Sequence, residues 1–197
     1  VKLAFQSIAL ISKALTQLEA GQLSIARFGE TTQLVHPFEK PFSSESGAHA
    51  LQWFGFEQER TDVKALVEKS IRLFEEAGVG SAASHNAAEL WRLEIIISDG
   101  VCEDHDTLRR LVRRAREERI MMVFVIVDGL NNQESILDLN EVSYQTDDSG
   151  HMNLKIDRYL DHFPFDFYVI VKDVRELPNV LSLVLRQFFA EVAETSG

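Results

Sequence analysis

The residues best suited to chemistry gather at Ser98-Asp99-Gly100, with Glu103 and Asp104 close behind. They follow Leu93 to Ile97, an apolar run broken only by Glu94. A carboxylate where a buried strand ends can hold a hard cation such as Mg2+, which prefers carboxylate, hydroxyl and water ligands. An Asp-Gly pair is equally a common way to turn the chain after a strand, and Asp128-Gly129 repeats the pair one apolar run later. Thr61 is the second oxygen of interest. Placed just before a strongly periodic segment, it reads as a helix N-cap, as the neighbour of an Asp62 cap, or as a hydroxyl ligand from a second loop. Cys102 and His105 form a C-x-x-H pair, but no second pair has zinc spacing and the other five histidines are scattered, so no zinc site is expected. G-x-S-x-G, P-loop and G-x-G-x-x-G patterns are absent, so acyl transfer, nucleotide hydrolysis and dinucleotide binding lack their usual parts. Arg109, Arg110, Arg113, Arg114, Arg116 and Arg119 make one segment basic. They read as a solvated face paired with Glu117 and Glu118, or as a docking surface for an acidic partner.

The elements that must carry these residues can be read from periodicity. Ala4, Ile8, Ile11, Leu15 and Leu18 predict an opening helix that stops at Gly21. Leu23 to Phe28 and Gln33 to Phe38 read as two strands whose short connection allows only an antiparallel pair. A short helix is expected over Ala48 to Trp53, a strong one through Val63, Leu66, Val67, Ile71 and Phe74, and a helical turn over Asn86 to Trp91. Leu93–Ile97, Met121–Val127 and Phe167–Val171 have the unbroken apolar character of strands covered on both faces. Between the first two, Leu108, Leu111, Val112 and Ala115 mark a helix that Asp106 could cap. Leu177, Leu181, Val184, Phe188 and Val192 line a final helix. Residues 130–166 break the rhythm: alternation at Val142, Tyr144, Thr146 and Met152, Leu154, Ile156 predicts a β-hairpin turning at Asp147-Asp148-Ser149-Gly150. The whole reads as one α/β domain over residues 1–197. Its architecture is a three-layer, doubly wound, mostly parallel sheet with one antiparallel edge strand, in which ligands bind at the carboxyl ends of the strands.

Composition narrows the function classes. The chain has 197 residues, 45% of them hydrophobic, and a formal charge of −11. That is enough for a sizeable core. Scattered charges exclude a helical membrane span, and the acidity argues against direct nucleic-acid binding, since polyphosphate would be repelled. A single cysteine, Cys102, excludes an internal disulfide framework and fits a reducing compartment. Val1 falls inside the expected opening helix, so the chain reads as a piece of something longer.

Ala26-Arg27-Phe28-Gly29-Glu30, the loop threonine before a helix, and Ile95-Ile96-Ile97-Ser98-Asp99-Gly100 together resemble a von Willebrand factor A domain. A closer resemblance runs through Gly21-Gln22-Leu23, Leu34-Val35-His36-Pro37-Phe38, Ser135-Ile136-Leu137-Asp138, Phe163-Pro164-Phe165 with Phe167-Tyr168, and Arg175 to Phe188. These fragments span nearly the whole chain. They are similar to the C-terminal domain of the midasin family, dynein-related AAA+ ATPases of ribosome assembly.

The resemblance implies a metal-ion-dependent adhesion site in which Thr61 and Asp99 hold Mg2+ or another divalent cation, Asp99 by way of water. It implies a rim formed by Ser98, Gly100, Phe56 and Arg60. The family's D-x-S-x-S loop and first, central strand have no counterpart here and are expected just upstream of Val1. The implied activity is binding rather than catalysis: a partner carboxylate completes the cation's coordination. The implied partners are the parent AAA+ ring and the ubiquitin-like domains of WD40-repeat pre-60S assembly factors, with no direct nucleic-acid or membrane contact, in the nucleus (nucleolus and nucleoplasm). The polar insertion at 130–166 is expected to touch the partner or the ring, or else to cover the sheet edge. Another intracellular von Willebrand A-type interaction domain, or a doubly wound enzyme fragment, remain the alternatives.

Overall fold

The computed structural model describes residues 22–52, 61–80, 91–128, 135–146 and 152–195. The expected opening helix, the turn over 86–90, Phe56 and Arg60, and the hairpin tip at 147–150 lie outside these residues. The fold is built on three parallel strands, β3 (Arg92–Ser98), β4 (Ile120–Val127) and β7 (Phe167–Val171), in the order β3-β4-β7. Their register pairs Arg92 with Ile120 through to Ser98 with Ile126, and Val123 with Phe167 through to Val127 with Val171. Asp128 extends the second ladder, its N–H donating to the Val171 carbonyl at 3.0 Å. The carboxyl ends of all three strands therefore share one rim.

β4 is central and buried along Ile120–Ile126, which is why its sequence is apolar without alternation. Its two faces are nonetheless distinct. Met122, Phe124 and Ile126 point into the larger core, where α2 (Val63–Gly80) contributes Val67 and Ile71 and α3 (His105–Glu117) contributes Leu108, Val112 and Ala115. Met121 and Val123 meet Val180, Val184 and Phe188 of α4 (Leu177–Thr195) on the opposite face. Helix, sheet, helix is the three-layer α/β sandwich expected from the sequence. Each large apolar side chain taken fully out of water contributes roughly 1.5–3 kcal/mol before ordering costs, so β4 is the main source of cohesion.

The antiparallel strands form ladders of their own. β1 (Ile25–Arg27) pairs with β2 (Gln33–His36), with a register shift between Ile25 and Ala26. Among the described residues neither joins β3, so the expected antiparallel edge strand belongs to a separate two-stranded ladder. β5 (Asn140–Thr146) and β6 (Met152–Arg158) pair as the anticipated hairpin, placing Val142 opposite Ile156. Both side chains are more than half exposed, unlike the insertion's roots, where Ile136, Phe163 and Phe165 are buried. Phe163 meets Phe124 edge-to-face and Phe165 meets it at a tilt, with ring centroids 5.3 and 4.8 Å away. The insertion is thus rooted in the main core at both ends.

Helix boundaries corrected two expectations. α1 (Ser44–Gln52) begins earlier than Ala48, because the Ser43 N–H donates to the Ser46 hydroxyl at 2.8 Å and the Ser46 N–H to Ser43 Oγ at 3.1 Å. α3 is capped by Asp104 rather than Asp106: Asp104 takes a left-handed conformation (φ 54°) and its carboxylate accepts from the Thr107 N–H at 3.3 Å. Asp can visit that region at lower cost than most residues. Asp106 sits one position inside the helix and pairs with Arg109 at 3.0 Å instead.

Candidate functional site

Asp99 leaves β3 at the shared rim and is exposed, while Gly100 behind it is buried. Its Oδ1 accepts from the Val101 N–H at 3.1 Å and from the Ser98 hydroxyl at 3.2 Å. One carboxylate oxygen is thus spent on shaping the loop, and Oδ2 has no hydrogen bond among the described residues. Gly100 is required here for two reasons. Its φ of +89° disfavours any side chain, and a Cβ would lie 2.5 Å from Ile136 Cδ1 and 3.0 Å from Ile126 Cγ2. The turn is pressed tightly onto the core beneath it.

Thr61 lies at the start of α2, at the same end of the fold. Asp62 caps that helix, its Oδ1 accepting from the Ala65 N–H at 2.8 Å and its carbonyl from the Leu66 N–H at 3.2 Å. The Asp62 N–H in turn donates to Gly29 O at 2.8 Å, which ties the loop after β1 to the helix start. Of the two capping alternatives, the neighbour-of-the-cap reading holds: Asp62 makes the cap, and Thr61 is exposed with no capping hydrogen bond. The α2 terminus also lies near the loop after β3. Lys64 helps to hold the Asp104 carboxyl below the usual range, behind the larger effect of the Thr107 side-chain hydrogen bond. No hydrogen bond joins Thr61 to Asp99.

The oxygen chemistry of Thr61, Asp99 and Ser98 fits a hard divalent cation in kind. It falls short in number, since such an ion takes six or more oxygens. Among the described residues no group of three or more His, Cys, Asp or Glu side chains could hold a metal. Phe56 and Arg60, the other expected rim residues, lie outside the described residues.

Cys102 and His105 do not form a ligand pair. They surround the hydroxyl of Tyr159, a residue of the insertion. The Cys102 N–H donates to Tyr159 Oη at 2.9 Å, and that oxygen lies 3.0 Å from Gly100 O, 3.3 Å from Cys102 Sγ and 3.1 Å from His105 Nε2. His105 Nε2 is also 3.1 Å from Cys102 O. Burial raises the pKa of both the Cys102 thiol and the Tyr159 phenol, so each keeps its proton at neutral pH. Tyr159 carried no motif. The only signal available in the sequence was a tyrosine next to an apolar-aromatic stretch.

Glu94 was the other unrecognised feature. Its backbone lies within β3, the outer strand of the three-stranded ladder, opposite Met122, and its carboxyl is buried against α2, where Ser70 Oγ donates to Oε1 at 2.5 Å. Oε2 is buried without a partner among the described residues. Burial raises this pKa from 4.5 to about 7, only partly opposed by the Ser70 hydrogen bond.

The arginines of α3 are largely committed within the molecule. Arg109 reaches the His162 carbonyl at 2.6 Å as well as Asp106, and Arg114 joins Glu118 at 2.7 Å and Glu75 at 3.0 Å. Arg116 pairs with Glu191 at 3.0 Å and lies over the Phe167 ring at 5.8 Å. The solvated-face reading therefore accounts for most of this charge, with partners drawn from other elements more than from the helix itself. Among the described residues no helix is long and apolar enough to cross a membrane.

No family model matches the chain. It is 34% identical over 189 residues to midasin of Dictyostelium discoideum and 30% identical over 198 residues to midasin of Giardia intestinalis. These alignments cover 94% and 98% of the chain but only 3% and 4% of the relatives, so the chain spans a small fraction of their length. Two solved structures share the fold. One is the conserved hypothetical protein BatB from Bacteroides thetaiotaomicron (TM-score 0.56, 14% identity, 95% of this chain and 86% of that one). The other is proximal thread matrix protein 1 from the mussel byssus (TM-score 0.58, 12% identity, 93% and 42%). At such identities these likenesses concern architecture alone. The likeness to the midasins concerns the sequence itself: this chain is homologous to a short segment of them.

Proposed function

From this homology to a midasin segment we propose that the chain is a protein-binding domain of a ribosome-assembly AAA+ ATPase, gripping its partner through a divalent cation at the Asp99 rim. The observation that carries the reading is the state of Asp99: an exposed residue at the end of a parallel strand, held by its own loop through Oδ1, with Oδ2 free of hydrogen bonds among the described residues. Thr61, released from capping by Asp62, supplies a hydroxyl from the neighbouring loop. Ser98 and Gly100 shape the rim.

The cation, Mg2+ or a similar hard ion, would supply positive charge to an acidic surface and so allow a partner carboxylate to dock. Two anionic groups repel one another across a poorly screened interface, and an ion between them reverses the sign. The remaining positions would be filled by water and by the partner. On this reading the partners are ubiquitin-like domains of WD40-repeat pre-60S assembly factors, met in the nucleus and removed from the particle by the motion of the parent ring. The domain itself binds and does not catalyse.

The experiment is a pull-down of a ubiquitin-like partner by the intact protein, with Mg2+ and with EDTA. Capture should require the metal and should be lost in D99A and weakened in T61A. Equal capture after the metal is stripped would rule the mechanism out.

A further inference from the structure

The insertion's own contribution to the site lies at its roots, not at its exposed hairpin. We propose that Tyr159 is the positioning residue of the Asp99 loop, fixing the turn whose carboxylate receives the cation; this rests on the cation-binding reading above.

Three consecutive residues of the loop carry the argument. The Gly100 carbonyl accepts from the Tyr159 hydroxyl, and the Cys102 N–H donates back to the same oxygen. Between them, the Val101 N–H donates to Asp99 Oδ1. A single phenol therefore grips the backbone on both sides of the peptide that orients the carboxylate. The proton bookkeeping closes: Tyr159 O–H to Gly100 O, Cys102 N–H to Tyr159 Oη, and His105 Nε2–H to Cys102 O. That arrangement leaves His105 Nδ1 as the lone-pair nitrogen, and this atom is buried without a partner among the described residues. The other tautomer would keep one Nε2 contact by accepting from the Tyr159 hydroxyl, but it would make Nδ1–H an unmet donor and take the Nε2 donor from the Cys102 carbonyl.

The grip is itself anchored. The Tyr159 N–H donates to the Leu139 carbonyl at 3.0 Å, joining the two roots of the insertion. Ser135 at the first root donates to the buried Asp128 carboxylate at 2.5 Å, and Ile136 beside it packs onto Gly100. The Tyr159 ring meets His105 edge-to-face with centroids 5.0 Å apart, and Phe163 likewise at 6.2 Å. The phenol thus reaches the loop from a rigid base, as a residue that orients a ligand must.

The test is Y159F in the intact protein, read by hydrogen–deuterium exchange of the peptide covering residues 98–105 during a Mg2+ titration. The ring and its burial stay, and only the hydroxyl is removed. The expected result is faster exchange at Val101 and Cys102 without metal, and a Mg2+ midpoint raised about tenfold, while the β4 peptide (residues 120–127) exchanges as before. D99A is run alongside and should show no Mg2+ protection at all. If D99A loses protection and Y159F keeps the normal midpoint, the role of Tyr159 is overturned and the cation reading survives. Faster exchange across β4 in Y159F would reduce Tyr159 to a packing residue and also overturn the proposal. If Mg2+ protects nothing in the unmodified protein, the cation reading fails and the proposal falls with it.

Discussion

Asp99 and Asp128 end adjacent parallel strands, stand at the same rim and were each followed by glycine in the sequence, yet they have opposite fates. Asp99 is exposed, with one oxygen spent on its own turn. Asp128 is 4% exposed, accepts from Ser135 at 2.5 Å, and has the Lys172 ammonium 4.0 Å away. The difference is made by the insertion. Its first root covers Asp128 and uses that carboxylate as an anchor, while its second root braces the Asp99 loop from below and leaves the carboxylate uncovered. An acidic residue at a strand end is thus a structural peg or an available ligand according to what the following connection lays over it.

The largest expected effect tests the brace. G100V forces a β-branched residue into φ +89° and drives its Cβ against Ile136 and Ile126. A cost of about 4 kcal/mol is expected, read as lost amide protection in β4. Retained protection would mean that the loop is looser than its packing indicates.

A third carboxyl sharpens the contrast between paired and unpaired burial. Glu94 is only partly buried as a residue, but its carboxyl is out of water like that of Asp128 and has one oxygen unsatisfied among the described residues. Because burial raises its pKa to about 7 in the fold, the protonated form is favoured there. Its stabilising contribution is full below about pH 4.5 and is lost as pH rises through 7, about 3 kcal/mol in all. In E94Q that part of the pH dependence should vanish, as followed by the thermal midpoint from pH 4.5 to 8. An unchanged slope would place the ionisation elsewhere.

D128A should follow, with about 2 kcal/mol lost, because the Ser135 hydroxyl and Lys172 lose their partner. The β4 amides again report it, and so should the peptide at 135–139. D99A is expected to change stability by less than about 0.5 kcal/mol while removing Mg2+-dependent partner capture. Were D99A to destabilise the fold as much as D128A, the distinction between ligand and peg would collapse.

Much of this arrangement was legible before the structure. β3, β4 and β7 were found within a residue or so, because a strand buried on both faces writes its length as an uninterrupted apolar run. α2 and α3 were legible from their periodicity. What escaped notice depended on side chains acting at a distance or against their usual role. The serines at the start of α1 have the composition of a loop, and nothing in their spacing reports that Ser43 and Ser46 bond to one another. Asp104 was overlooked as a cap because a left-handed conformation leaves no mark in composition. The position of Asp99 could be read directly, but its contrast with Asp128 could not, since it arises from Ser135, seven residues beyond Asp128. Tyr159 is 57 residues from the cysteine it grips, and no local pattern reports such a contact.

The connection between β4 and β7 has a consequence for the order of assembly. β3, α3 and β4 form a near-continuous unit, whereas β7 can pair with β4 only after the whole insertion has been traversed. Closing the longer loop carries the larger entropic cost, so β3–α3–β4 should form first and the insertion's roots should dock later. The Asp99 turn is therefore the last part of the rim to become rigid. Pulse-labelling during refolding would show it, with the Cys102 amide protected after that of Ile96. A chain that has not finished folding would then hold its partner weakly, and maturity of the domain becomes a condition for engagement.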